Sequence, residues 1–266
     1  MTVKKTNNRS MPIRRNIDVV SKVRKKHETS ADVEVARTGF MGANDHSEAR
    51  KQTVITILTG RRPALLWRTL KTLTAQAPKL VAEARVVALA NGADIQTLDT
   101  LKKAGWVKEV IETPKLLPIG EAFSFLMQKA TLGDSRYILH LEDDWDCVGA
   151  EDSWFHRAVQ CIDVGVGQVR LRYVRDTHMV TNALSHQTIV WDKIDGGSIE
   201  LSKNAHFTFN PSLVSTAVMQ GLHPCSGEPD AMRKFGGLRL QVARVLPGAF
   251  IHSGGDESLA ERTKGR

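Results

Sequence analysis

From residue 53 onward, apolar and polar positions alternate between two periods. Thr53-Val-Ile-Thr-Ile-Leu-Thr59 is a short β-branched run closed by Gly60, the pattern of a strand buried on both faces. Pro63 then opens a segment over 64–73 with apolar residues at helical spacing. A second strand is expected at Arg85–Ala90, ending at Asn91-Gly92, and Asp94 is placed to cap a helix over 95–104. The pattern predicts a third strand at Trp106–Ile111 and a helix from Gly120 to Leu132. A fourth strand at Tyr137–Leu141 runs straight into Glu142-Asp143-Asp144-Trp145. Beyond 165 the signal weakens. Gln168–Tyr173 alternates like a strand, and Thr188–Trp191 with Ser198–Leu201 reads as a hairpin around Asp195-Gly196-Gly197. Ser212–Gln220 and Glu228–Phe235 read as helices, and Gln241–Leu246 and Ala249–His252 as closing strands.

Strands alternating with helices imply right-handed crossovers and an α/β fold with a mostly parallel sheet. Ligands of such sheets bind beyond the carboxyl ends of the strands. Thr59-Gly60-Arg61-Arg62, Asn91-Gly92-Ala93-Asp94 and Glu142-Asp143-Asp144 are therefore expected at one rim.

Composition bounds this picture. The 266 residues are 41% hydrophobic and 25% charged, enough for one α/β domain of about 200–250 residues. No run of about 18 apolar residues exists, so no spanning helix is expected. The basic N-terminus is not followed by the apolar stretch of a secretory signal. Cys147, Cys161 and Cys225 are widely spaced, which argues against a disulfide framework and for a reducing, cytoplasmic setting. The formal net charge is +8, and nine Lys and Arg against Asp18 in residues 1–26 account for all of it. The expected organisation is a basic, flexible arm over 1–50, a catalytic domain over 51–255 and a polar tail over 256–266. The arm is either a solvated extension or a phosphate-binding device for nucleic acid or a lipid surface.

The acidic triplet is the most informative chemistry. Three consecutive carboxylates after a buried strand repel one another, and a hard divalent cation, Mg2+ or Mn2+, resolves the conflict. The alternative is a solvated loop that caps the next helix. His252, followed by Ser253-Gly254-Gly255, is either a further metal ligand or a structural histidine. Glu228 and Asp230 lie near a helix start, where they either cap it or serve as a general base. Arg170, Arg172 and Arg175 form a basic strand edge that binds phosphate or faces solvent. The phosphate-binding loop, the dinucleotide-binding glycine fingerprint and the G-x-S-x-G elbow are all missing.

In this order, the pieces resemble the GT-A glycosyltransferases, most closely the family 2-like group, over roughly 53–255. The resemblance rests on Thr53–Thr59 with Arg61-Arg62-Pro63, on Ala90-Asn91-Gly92, on Pro118-Ile-Gly-Glu-Ala-Phe123 and on Tyr137–Trp145. Glu142-x-Asp144 sits where that group keeps an Asp-x-Asp motif, and His252 where many members keep a third metal ligand. The resemblance implies a nucleotide-sugar donor, most often UDP-linked, with Mn2+ or Mg2+ on its diphosphate. By it, Asp144 binds metal, Glu142 or Asp143 meets ribose or metal, and Thr59, Gly60, Arg61 and Arg62 flank the nucleotide. Asn91 and Asp94 take the base or ribose, and Glu228 or Asp230 acts as the base. The triplet departs from the family by opening with Glu, and the family's Glu-Asp pair is Glu-Pro-Asp here. The basic arm and compactness bring in DNA carrying hydroxymethylated pyrimidines as an acceptor. Two other readings fit parts of the pattern: a nucleotidyltransferase, because Thr59-Gly-Arg-Arg62 partly matches a phosphate loop, and a nucleic-acid-binding protein acting through its arm.

Overall fold

The computed structural model describes residues 46–174 and 182–254. The basic arm up to residue 45, Arg175 and the polar tail lie outside them. In chain order the elements are α1 (His46–Lys51), β1 (Thr53–Thr59), α2 (Pro63–Gln76), α3 (Pro78–Glu83), β2 (Arg85–Asn91), α4 (Ile95–Ala104), β3 (Glu109–Thr113) and α5 (Ile119–Ala130). They continue with β4 (Tyr137–Glu142), β5 (Trp145–Cys147), α6 (Glu151–Asp163), β6 (Gln168–Arg170), β7 (Asp192–Ile194) and β8 (Ile199–Ser202). The last five are β9 (Ser212–Ser215), α7 (Thr216–Leu222), α8 (Glu228–Leu238), β10 (Val242–Val245) and β11 (Phe250–His252).

Nine strands form one sheet in the order β3-β2-β1-β4-β9-β6-β10-β8-β7, and β11 pairs with β5 in a second, two-stranded sheet. Strands β3, β2, β1 and β4 are parallel throughout. In the large sheet only β9 and β8 oppose the common direction. The expected mostly parallel α/β architecture is therefore present.

Strand β1 shows why a continuous apolar run is needed. Ile55 and Ile57 enter the layer built with α2, α3, α4 and α6, whereas Val54 and Leu58 enter the layer built with α5, α7 and α8. Successive side chains point to opposite faces, so a strand covered by helices on both sides has no polar face. Each fully buried Leu, Ile or Phe contributes about 1.5–3 kcal/mol by leaving water.

The first half of the chain follows the sequence pattern closely. Asp94 caps α4 by accepting from the Thr97 amide at 2.9 Å. The third strand starts at Glu109 rather than Trp106, because Gly105 ends α4 in a left-handed turn (φ 74°) and residues 106–108 form the connection. The hairpin turn lies at Asp195–Gly197, but its first strand is Asp192–Ile194 instead of Thr188–Trp191. Only Gln168–Arg170 of the expected longer strand joins the large sheet; Arg172 makes a single bridge to Phe250.

Ser212–Gln220 is not one helix. Ser212–Ser215 is β9, inserted antiparallel between β4 and β6. Leu213 and Val214 bury on opposite faces of the sheet, and the Ser215 hydroxyl accepts from the Val218 amide at 3.1 Å to start α7. Helix α1 is anchored on the body: buried Arg50 pairs with Glu151 of α6, whose other oxygen accepts from the Leu80 amide at 2.9 Å.

Candidate active site

The rim forms where β1 and β4 end side by side. Their parallel register sets Leu58 against Glu142, so Thr59 and Asp143 are the next pair out. Asp143 is wholly buried, and its carboxylate is taken up by the β1–α2 loop. It accepts from the Thr59 hydroxyl at 2.8 Å, from the Gly60 amide at 3.1 Å and from Arg62. Asp143 therefore pins the loop and presents no oxygen to a donor.

Asp144 is also buried but faces the other way. Its Oδ2 accepts from Arg62 at 2.7 Å and lies 3.3 Å from His252 Nε2; its Oδ1 is buried with no partner. These residues meet, 108 positions apart, because β11 pairs antiparallel with β5 and puts His252 opposite Trp145. The Ser253 amide and hydroxyl then close on the Asp144 carbonyl at 2.8 and 3.1 Å. Gly254 follows with no side chain, and a Cβ there would lie 2.7 Å from Asp144 Oδ2. The glycine thus makes room for a carboxylate.

Asp144 and His252 open into a cavity of about 320 Å3. Glu142, Glu228, Arg62 and Arg172 supply its charged wall; Trp145, Phe209 and Ile119 supply apolar surface. Burial pushes the Glu142 carboxyl up to about 8, and the charges of Asp144 and Asp143 reinforce the shift. Burial alone would pull the Arg62 guanidinium down, but Asp143 and Asp144 together hold it above its ordinary value.

Among the described residues, no three carboxylate, imidazole or thiolate groups form a metal centre by themselves. The donor set nonetheless fits a divalent cation that shares its shell with a ligand. Asp144 Oδ1 is a buried oxygen lacking a partner, and His252 Nε2 adjoins the same carboxylate. Mg2+ and similar ions are commonly held by one or two protein groups plus water and substrate phosphate.

Glu228 opens α8 on the cavity wall, with Oε1 accepting from the Phe209 amide at 2.8 Å. Asp230 does not line the cavity. It accepts from the Ser226 amide at 3.1 Å and pairs with Lys234 at 3.2 Å and Arg233 at 3.4 Å, the capping half of the sequence alternatives.

Asn91 is at the rim, but its side chain is engaged by the segment before α5. It accepts from the Leu117 amide at 2.8 Å and donates to the Leu117 carbonyl at 3.0 Å. Arg61 donates to the Gly92 carbonyl at 2.8 Å, tying the first two strand ends together. Arg170 is not a solvent edge: it is part-buried, donates to the His206 carbonyl and lies against Trp191. Arg172 lies over Trp145 at 5.9 Å.

No protein-family model matches this sequence, and no curated protein does. Solved structures resemble it in three dimensions. One is S. aureus TarS 1–349 in complex with UDP-GlcNAc, at TM-score 0.55 and 14% identity, covering 77% of this chain and 60% of that one. Another is the mannosyltransferase PcManGT from Pyrobaculum calidifontis in complex with GDP-Man and Mn2+, at TM-score 0.55 and 11% identity, covering 93% and 70%. The fold is GT-A. In this GT-A fold the carboxyl end of β4 carries Asp143 and Asp144 beside the end of β1, and the β5–β11 pair delivers His252 to Asp144. The chain spans 60% of the TarS fragment's length.

Proposed function

We propose that the protein is a metal-dependent glycosyltransferase that moves a sugar from a nucleotide-sugar, UDP-linked by preference, to an acceptor hydroxyl. One observation carries this reading. Asp144, with its unpartnered buried oxygen, and His252 open into the same cavity as Glu228, at the strand ends of a GT-A fold. Two proteins of similar fold carry UDP-GlcNAc in one case and GDP-Man with Mn2+ in the other.

Asp144 and His252 would hold Mn2+ or Mg2+, with Glu142 beside them. The ion's chemistry is to neutralise charge building on the departing diphosphate. Glu228 is the base: its Oε1 is oriented by the Phe209 amide, and it takes the proton of the acceptor hydroxyl. The acceptor oxygen then bonds to the anomeric carbon as the bond to the diphosphate breaks. Nucleoside diphosphate leaves, and one displacement by this route inverts the anomeric centre. Trp145, Phe209 and Ile119 exclude water around the reacting atoms. Thr59, Gly60 and Arg62 act through Asp143 by shaping the loop beside the nucleotide.

The acceptor we propose is DNA bearing hydroxymethylated pyrimidines, on the strength of the arm's concentrated charge. We place the enzyme in a reducing, cytoplasmic setting, in keeping with three widely spaced, buried cysteines. No helix among the described residues is long and apolar enough to cross a membrane.

A thermal-shift panel of UDP and GDP, each with and without Mn2+, tests the donor site. Metal-dependent stabilisation by one of them, lost in Asp144→Asn, is the expected outcome. Slow release of free sugar and nucleoside diphosphate from the matching donor should accompany it. Pyrophosphate release from a nucleoside triphosphate would instead mark a nucleotidyltransferase.

A further inference from the structure

Arg62 is a buried cation on the carboxylate that the proposed function assigns to a metal. It is 7% exposed, and its guanidinium spans Asp143 and Asp144, meeting Asp144 Oδ2 at 2.7 Å. Its Nε is buried without a partner, so the position is set by the two carboxylates rather than by a full set of hydrogen bonds. We propose that Arg62 holds Asp144 in reserve, so that the divalent cation enters together with the donor's diphosphate and not before it. This rests on the donor-site reading above and adds an order of binding to it.

The reasoning is electrostatic. Asp143 and Asp144 are 0% and 3% exposed, and water screens neither well. One guanidinium compensates one of their two charges, so a single negative charge is left for an incoming ion. His252 adds an imidazole but no negative charge. Glu142 and Glu228 line the same cavity, but among the described residues no three such groups close a protein-only shell around an ion. A divalent cation on Asp144 would therefore sit beside Arg62 with too little negative charge around it.

A diphosphate reverses the balance. Its oxygens supply the missing charge and the missing ligands, and they give the guanidinium a second anionic partner. Metal and nucleotide then bind cooperatively, and linkage makes the cooperativity reciprocal: each raises the other's affinity by the same factor. The removal of Arg62 should raise the metal's affinity for the protein alone, whereas loss of a purely structural support would lower it or leave it unchanged.

The experiment is Mn2+ titration followed by electron paramagnetic resonance, in the absence and presence of UDP or GDP. It uses the full chain, the single variant Arg62→Gln, which leaves two buried carboxylates for the ion, and the double variant Asp143→Asn/Arg62→Gln, which keeps the net charge and releases Asp144 from the guanidinium. In the unmodified protein the nucleotide should raise Mn2+ affinity by about 5–150-fold, the usual range of such coupling. In Arg62→Gln, Mn2+ alone should bind about tenfold tighter and the coupling should shrink correspondingly, while the double variant, whose net charge is unchanged, should show a smaller gain.

Equal Mn2+ affinity with and without nucleotide in the unmodified protein would overturn the inference, whether or not the variant folds. So would a folded Arg62→Gln protein whose affinity for Mn2+ alone is unchanged or weaker. Those results leave the donor site standing if UDP or GDP still binds. Absence of nucleotide binding under all conditions would remove the donor-site reading and this inference together.

Discussion

Asp143 and Asp144 are neighbours in sequence with different tasks, and the difference is one of direction. Asp143 points back under β1, where Thr59, Gly60 and Arg62 occupy it, while Asp144 points toward His252 and the cavity. The same logic separates Glu228 from Asp230. Glu228→Gln should lower kcat by about 10²–10⁴-fold. The melting temperature should hold, because an amide oxygen still accepts from the Phe209 amide. Asp230→Asn should leave kcat near the unmodified value, since its carboxylate serves Ser226, Lys234 and Arg233 away from the cavity. Equal losses from the two variants in a steady-state assay would refute the assignment.

Two histidines set a pH dependence at the same scale. Burial, with Lys234 nearby, pulls His223 down to about 4; burial, with Arg170 nearby, pulls His206 down to about 4. Both values lie below the ordinary histidine value of about 6.5. The unfolded chain therefore binds more protons between those limits, and stability falls as pH drops from about 6.5 toward 4. Glu142, whose raised value acts in the opposite sense over part of that range, offsets some of the decline; thermal melts should still show the histidines' net effect, and His223→Gln should make the decline shallower.

At the scale of elements, the caps and the closing loop decide what reaches the rim. Asp94, a candidate donor-binding residue by sequence, is spent on the first turn of α4. Asp94→Ala should cost about 1 kcal/mol of stability in chemical denaturation and leave the nucleotide-dependent thermal shift intact. Gly254 has the opposite profile. Gly254→Ala brings a Cβ to within 2.7 Å of Asp144 Oδ2, so calorimetry should show weakened Mn2+-dependent nucleotide binding with little loss of stability. Helix α6 shows what periodicity alone left unread. Trp154, Phe155, Ala158, Val159 and Ile162 form its buried stripe at helical spacing, but the stretch carries no strong start signal. Its buried Glu151 shows its purpose only when Arg50 and the Leu80 amide meet it.

For the whole molecule, charge and fold are separable. The formal charge of +8 resides in residues 1–26, and the remainder sums to zero. If DNA is the acceptor, removal of 1–26 should weaken DNA binding strongly. It should also flatten the slope of log affinity against log salt by about 0.9 for each phosphate that the arm neutralises. Metal-dependent nucleotide binding by the body should persist. A binding curve that keeps its salt slope after the deletion would end the case for the arm.

The parallel half of the fold was legible in the sequence because local rules govern it. Buried strands there are continuous apolar runs, their helices open with Pro63 or the Asp94 cap, and the crossovers permit one hand. The rim and the place of the acidic triplet on it followed from where those strands end. The sequence did not reveal β9, whose four residues look helical until both neighbouring strands are in place. Nor did it say which carboxylates are free. That depends on partners roughly 80 to more than 100 residues away: Thr59 and Arg62 on Asp143, and His252 beside Asp144. Periodicity is a property of adjacent residues, whereas a carboxylate's ligands are whatever the closed sheet brings to it.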